Sequence, residues 1–458
     1  MYDIIIIGAG TAGIAAYKEA IKHTQNILII NDGPWDTTCA RVGCMPSKVL
    51  ISTANRMHDI EQADEVALKV TSQIDTRDVM PHVRKLRDRF TAATLKDVNS
   101  WKPEHKISGK AVFVSPDTVS VNDQHYQAKS FILAVGSTPA LNTDWKNELK
   151  DRLISSDQVF ELDQLPDSMA VIGSGVIAIE LAQAMQRLGV KTTIFARSRK
   201  VGILTSPFLQ ELAQTELSKE MDIKFEVLPE SVSLKDDTVE ISYTENGIQQ
   251  KIYTDYVLSA TGRISNLSSL HLDHISESFT DLKQLPVDPF TKQLGSFPVF
   301  VIGDAHTAKP LQHEAAHDGR QIIRNCLNYP DVQKLPVLTG LGIVFSEPEM
   351  AIAGKSHKQL IQENISFVTG FVSYERQGRA IVLGKNKGAI EVYVEQKTRK
   401  LLGAELLIES AEHLAHLLSW MISENLSIDS ILEKPFYHPT LEEGLRTALK
   451  HARRQLDA

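Results

Sequence analysis

Two short stretches constrain the fold of this chain more than anything else in it. Residues 4–13 read IIIIGAGTAG, and residues 170–178 read AVIGSGVIA. Each is an apolar run, then spaced glycines, then a helix-like stretch. A second apolar run follows each, ILII at 27–30 and TTIF at 192–195. Parallel strands buried on both faces read as continuous apolar runs, so the chain carries two βαβ openings. In Gly8-Ala9-Gly10-Thr11-Ala12-Gly13 the first glycine permits the tight turn and the second lets backbone approach a pyrophosphate. The third lets the helix pack on the strand with its N-terminus toward the anion. The alternative is an ordinary glycine-rich βα turn.

The residue that reads a ribose lies at the end of the second strand. In the first opening that place falls on Asn31, with Asp32 next; either side chain can accept from a hydroxyl. In the second, Gly173-Ser174-Gly175 is followed by Ala178 in the third glycine position, and the ribose-reading place falls on Ala196. Arg197, Arg199 and Lys200 come directly after. A carboxylate there favours NAD; arginines without one favour a 2′-phosphate, so NADPH is the expected nicotinamide. The alternative is that ARSRK is a solvated loop.

A chain of 458 residues suggests about three domains. Its net charge of −8 offers no basic field for nucleic acid. The first apolar run, Ile4–Ile7, is too short for a signal peptide, and no run reaches the length of a membrane span, so a cytoplasmic location is the default expectation. Beyond residue 335 the texture changes. IVFSEPEMAIAG, AIVLG near 380, GAIEVYVE at 388–395 and LLGAELL at 401–407 suggest a mostly antiparallel sheet. Helices are expected at Glu409–Ser423 and Glu442–Arg454.

Four residues separate Cys39 from Cys44, while Cys326 stands alone and is expected to be an inert, partly buried thiol. A close pair in a cytosolic chain is more often catalytic or metal-binding than structural. Zinc needs further ligands, and only the distant His23 and His58 are on offer, so no metal site is expected there. His413 and His416, three apart on a helix, are read as interface residues. Pro46 suits a first helical turn, whose N-terminus, with Lys48, would stabilise a thiolate.

C-x4-C-x-P-S-K after an N-terminal G-x-G-x-x-G resembles the class I pyridine nucleotide–disulfide oxidoreductases, which include dihydrolipoamide dehydrogenase, glutathione reductase and mercuric reductase. Further segments are similar to that family's motifs: Ala134-Val135-Gly136-Ser137, Ala260-Thr261-Gly262-Arg263, Val301-Ile302-Gly303-Asp304-Ala305 and His438-Pro439-Thr440-Leu441-Glu442-Glu443. The resemblance implies an α/β fold with two Rossmann-like dinucleotide-binding domains and a C-terminal α+β dimerisation domain. FAD-binding segments are expected at 1–155 and 271–335, a NAD(P)-binding domain at 156–270 and the dimerisation domain at 336–458. It implies FAD held by Gly8, Gly10, Gly13, Asn31, Asp32, Lys48, Gly136, Arg263, Asp304 and His313. NAD(P) falls to Gly173, Gly175, Ala178, Arg197, Arg199 and Gly262.

The catalytic set it implies is Cys39, Cys44, His438, Glu443, Lys48 and Glu180. Electrons pass from nicotinamide through flavin to Cys44, and Cys39 exchanges with a small disulfide or dithiol. Glu180 pairs with Lys48 beside the flavin. Histidine suits acid–base work near neutrality, and a carboxylate steadies its tautomer. In the family this histidine reaches the other subunit's site, implying a homodimer. The tail HARRQLDA has no cysteine pair, unlike mercuric reductases and large thioredoxin reductases. The segments MPSK and FYHPTLEEGLRTAL look most like the lipoamide group, with a 2-oxo acid dehydrogenase complex as a partner. Asp36-Thr37 and Arg41 depart from the family pattern, and Arg41 is a candidate to greet an anionic disulfide such as glutathione's. A purely structural subunit of such a complex is the alternative from a different class.

Overall fold

A computed structural model describes residues 1–71, 73–306 and 310–458. The chain divides into two compact units. The first comprises Met1–Pro46, Val83–Ala140 and Gly262–Val337. Its central strand Tyr2–Ile7 pairs in parallel with Ile27–Asn31 on one side and with Gln124–Leu133 on the other. Lys106–Ser108 and Val299–Val301 extend the parallel sheet outward. Ile4, Ile6, Ile27 and Ile29 enter one core, against the helices Thr11–Ala20 and Gln312–Asn328. Ile5, Ile7, Leu28 and Ile30 enter a second core on the opposite face. Successive side chains alternate faces and both faces are covered, so the run cannot alternate in polarity. Each such isoleucine contributes about 1.5–3 kcal/mol on burial. The two helices cross closely at Gly319, where a Cβ would stand 2.3 Å from the Ala12 carbonyl oxygen.

The second unit comprises Ser47–His82, Leu141–Thr261 and Leu338–Ala458. It repeats the parallel arrangement, in the order 222–225, 191–196, 168–172, 256–259 and 153–155. The helix Val176–Arg187 leaves the second glycine turn. A wholly antiparallel sheet follows, in the order 341–344, 349–354, 401–408, 389–395 and 367–373. The helices Ala411–Ser423 and Glu442–Leu456 contribute to its core. AIVLG near 380 is not a strand: Gly378–Val382 is a short helix. The Gln377 side chain caps it by accepting from the Ala380 N–H, and Gly384, at φ 68°, ends it. Four apolar residues in a row fit a helix as well as a strand, and the flanking cap and left-handed glycine decide.

Two glutamates two positions apart in this unit carry opposite shifts. Burial pushes Glu347 up, but Arg187 and Lys385 outweigh it and hold its carboxyl at about 2. Burial pushes Glu349 up to about 8, with Glu412, Glu409 and Glu347 adding repulsion. The fold therefore favours the protonated form of Glu349. That contribution is whole below the ordinary value near 4.5 and is lost as pH rises through about 8. Glu347 does the reverse, and its contribution is lost as pH falls toward 2. Glu349→Gln, whose amide oxygen can still accept from the Glu412 N–H, should remove the alkaline loss. At about 1.4 kcal/mol per pKa unit this is worth a few kcal/mol. The check is the melting temperature, which should fall less between mildly acidic and alkaline buffer in the variant than in the parent. An equal fall in both would exclude Glu349 as the source.

Candidate active site

The two glycine turns share one geometry. A Cβ at Gly8 would lie 2.3 Å from the Ala134 oxygen, and one at Gly13 would lie 1.8 Å from the Gly8 oxygen. Packing alone requires those two glycines. A Cβ at Gly10 would meet nothing within 4 Å, so its bareness opens the space in front of the helix rather than relieving a clash. Gly10 is the N-cap of Thr11–Ala20 and gives no side-chain cap, which leaves the N-terminal N–H groups for an anion. Gly173 and Gly175 repeat the pattern: the first would meet the Ala260 oxygen at 2.5 Å, the second nothing. Ala178, in the third place, is fully buried.

Two cavities flank the first turn. One, of about 320 Å³, is lined by Gly8, Asn31, Asp32, Ser269 and Leu270 among others. The Asn31 side chain is committed elsewhere than the sequence suggests. Its oxygen accepts from the Ala9 N–H at 2.9 Å, and its amide group donates to the Gly33 and Pro34 carbonyls at 3.1 and 2.8 Å. Both of its donors are used in holding the turn, while the carboxylate of Asp32 is exposed.

The other cavity, of about 190 Å³, is lined by Gly10, Gly136, Arg263, Asp304, Cys39 and Cys44, with Ser137 and Gln312. Thr37 caps the helix Thr38–Val42, which carries Cys39, by accepting from the Ala40 N–H. Cys44 is the first residue of the helix Cys44–Glu61. Between them the chain folds tightly: a Cβ on Gly43 would stand 3.1 Å from the Cys39 Cα. Burial pushes the Asp304 carboxyl up, with the Arg263 charge opposing. The Arg263 guanidinium donates to the Ser137 hydroxyl and carbonyl at 2.9 and 2.7 Å. His313 is exposed in the first turn of Gln312–Asn328, between Gln312 and Ala315, which line the cavity.

Cys39 also borders a larger groove of about 660 Å³. Ile14, Ala15, Ala40, Met45, Phe90 and Ala93 line it together with Lys18, Lys22 and Arg320. Lys18 pairs with Asp97 at 2.7 Å and Lys22 with Glu19 at 2.6 Å. Arg41 does not offer an unbalanced charge to a substrate. Its Nε donates to the buried Asp36 at 3.0 Å, so two departures from the family pattern compensate each other.

In the second unit Lys48 donates to Glu180 at 2.8 Å and lies 4.6 Å from the Phe345 ring centre. Glu180 is 4% exposed, and its other oxygen accepts from the Phe345 N–H. His438 Nδ1 lies 3.0 and 3.1 Å from the two Glu443 oxygens. The His438 bond holds the Glu443 carboxyl below its usual range, helped by the Thr440 N–H. The His438 side chain is 80% exposed.

The sequence profile of the family described as pyridine nucleotide-disulphide oxidoreductase matches residues 2–319, and its dimerisation domain matches residues 341–449. The chain belongs to the pyridine nucleotide-disulphide oxidoreductase family. It is 28% identical to a dihydrolipoyl dehydrogenase of Geobacillus stearothermophilus over 96% of this chain and 94% of the relative. It is 27% identical to one from Mycoplasma genitalium, over 98% of each. A mercuric reductase of Lysinibacillus sphaericus is 26% identical over 98% of this chain and 82% of its own length. In fold it is similar to LpdA from Mycobacterium tuberculosis, at a TM-score of 0.83, 20% identity and 99% coverage of both chains. The Escherichia coli flavoprotein disulfide reductase RclA gives 0.78 at 18% identity, covering 98% of this chain and 99% of its own. This family member is accordingly an FAD- and pyridine-nucleotide-dependent disulfide oxidoreductase, and its cavities, open glycine turns and half-buried Asp304 suit that flavin.

Some residues of the oxidoreductase were invisible to sequence reasoning. Gln312 borders the Cys39–Cys44 cavity and no sequence signal marks it, whereas Ser137, also in its lining, belongs to the Gly136 motif. Gly262 has φ 134°, and its carbonyl accepts from the Ala140 N–H. Cys326 is fully rather than partly buried, and burial pushes its thiol well up, which suits an inert side chain. His416 Nδ1 meets the Glu412 carbonyl at 2.7 Å, and His413 is exposed. Among the described residues no helix is long and apolar enough to cross a membrane.

Proposed function

We propose that this oxidoreductase works on a small, neutral dithiol or disulfide of the dihydrolipoyl type. The observation that carries the reading is the groove beside Cys39. Its lining is mostly apolar, its two lysines are balanced by carboxylates, and Arg41 is paired with Asp36. A dithiolane on an aliphatic arm suits such a surface, whereas glutathione disulfide carries four carboxylates that would find few unbalanced cations.

The chain's own residues take these parts. The Cys39 thiolate attacks one sulfur of the substrate disulfide, and a mixed disulfide forms as the substrate S–S bond breaks. His438, acting across a dimer interface, protonates the departing thiolate, and Glu443 holds its ring. Cys44 then attacks Cys39, releases the second substrate sulfur and closes the Cys39–Cys44 disulfide. Bound FAD supplies the two-electron exchange between that pair and the nicotinamide. Lys48, held by Glu180, keeps a positive charge on the helix that Cys44 opens. Asp32 rather than Asn31 would accept from the adenosine ribose, Asp304 would accept from the ribityl chain, and Gly10 and Gly175 would admit the two pyrophosphates. Residues 1–155 and 271–335 serve FAD, 156–270 the nicotinamide nucleotide and 336–458 dimerisation, in the cytoplasm. A 2-oxo acid dehydrogenase complex is the corresponding partner, and retention of Cys39, Cys44 and His438 favours a catalytic rather than purely structural place in it.

NADPH is the proposed nucleotide. The strand Lys191–Ala196 ends in a buried alanine, and Arg197 and Lys200 are exposed after it, while Arg199 lies 5.3 Å from the Phe225 ring centre. Stopped-flow reduction should favour NADPH over NADH, and Arg197→Ala should cost NADPH about tenfold or more in kcat/KM while sparing NADH. A strong NADH preference would remove this reading. In the same matrix lipoamide should exceed glutathione disulfide and a quinone as acceptor; faster turnover with glutathione disulfide would overturn the substrate assignment.

A further inference from the structure

We propose a surface site for a divalent transition metal of the Zn²⁺ and Cu²⁺ class, built from His271, Asp273 and His274. One ligand atom from each residue lies within 4.8 Å of the others. His271, at φ 54° and ψ 59°, joins two short turns, Asn266–Leu270 and Leu272–His274. Leu270, Leu272 and Ile275 are buried at 2%, 1% and 5% exposure, so the segment is anchored by packing. The three side chains between those anchors are left facing solvent.

A second observation orients one ligand. His274 Nδ1 faces the carbonyl oxygen of Phe113, a fully buried residue of the strand Val112–Ser115. A carbonyl only accepts, so Nδ1 carries a hydrogen, and in the neutral ring Nε2 keeps its lone pair. That is the outer-shell arrangement that fixes the tautomer of a metal-binding histidine. Nε2 lies 3.8 Å from the Asp273 carboxylate, and the His271 and His274 rings stand 5.7 Å apart. Two imidazoles and one carboxylate suit Zn²⁺ or Cu²⁺, with water completing the shell, and do not suit Ca²⁺ or Mg²⁺, which take oxygen ligands. None of these three residues lines the cavity of the cysteine pair.

The test uses chelator-stripped holoenzyme with its cysteine pair oxidised, titrated calorimetrically with ZnCl₂. One Zn²⁺ should bind per chain, and His271→Ala or His274→Ala should weaken that binding by at least about tenfold, with flavin absorbance unchanged. Equal binding in parent and double variant would overturn the site. Cu²⁺ electron paramagnetic resonance on the unaltered protein gives an independent reading. Splitting from two imidazole nitrogens, lost in either variant that folds, is expected; a spectrum without nitrogen coupling also overturns it.

Discussion

Cys44→Ser should abolish disulfide turnover, by about a thousandfold or more, while FAD stays bound. Serine matches cysteine in shape, so the first turn of Cys44–Glu61 and the cavity beside it should persist. The groups assigned to flavin, among them the Gly8–Gly13 turn, Asp32, Gly136 and Asp304, are other residues, and the substitution leaves them unchanged. A hydroxyl, however, cannot close a disulfide with Cys39, so the mixed disulfide cannot be resolved and electrons cannot reach the substrate as a pair. The variant should still take hydride from the nicotinamide in the stopped flow and should retain its flavin through gel filtration. Continued lipoamide or glutathione turnover would refute the two-thiol scheme outright. Loss of flavin would instead mean that Cys44 has a structural part in holding it.

His438→Ala should lower disulfide turnover by about 10²–10⁴-fold and leave reduction by nicotinamide untouched, because a positioned acid acts only on the departing thiolate. Glu443→Gln should cost less, since an amide oxygen can still accept from Nδ1 but brings no charge. The exposure of the histidine in a single chain frames a sharper experiment. Mixing inactive Cys44→Ser and His438→Ala chains and letting them exchange creates heterodimers. If His438 acts across the interface, one of the two sites in each heterodimer has both cysteines and a histidine, and activity returns. If it acts within its own chain, every site lacks one or the other and the mixture stays dead.

Much of this protein was legible before any coordinates. Ile4–Ile7 and Ile27–Ile30 announce strands covered on both faces, and the cores on either side explain why every position is apolar. The glycine at position 10 reads as an opening, and nothing stands where its Cβ would be. Pro46 marks the first turn of the helix that Cys44 begins. These features are set by backbone sterics and by burial over a few neighbouring residues, which is the range over which a sequence is informative.

What a side chain does with its polar end was decided by tertiary structure. Asn31 spends both of its amide hydrogens on the Gly33 and Pro34 carbonyls, and Arg41 is claimed by Asp36. Gly378–Val382 is helical because of its flanks, not its own apolar run. His274 acquires a fixed tautomer only because a strand 161 residues earlier presents the Phe113 carbonyl to it. Hydrogen bonds and ion pairs reach only about 3 Å, so they depend on which distant segments the packing brings together, and no local pattern encodes that.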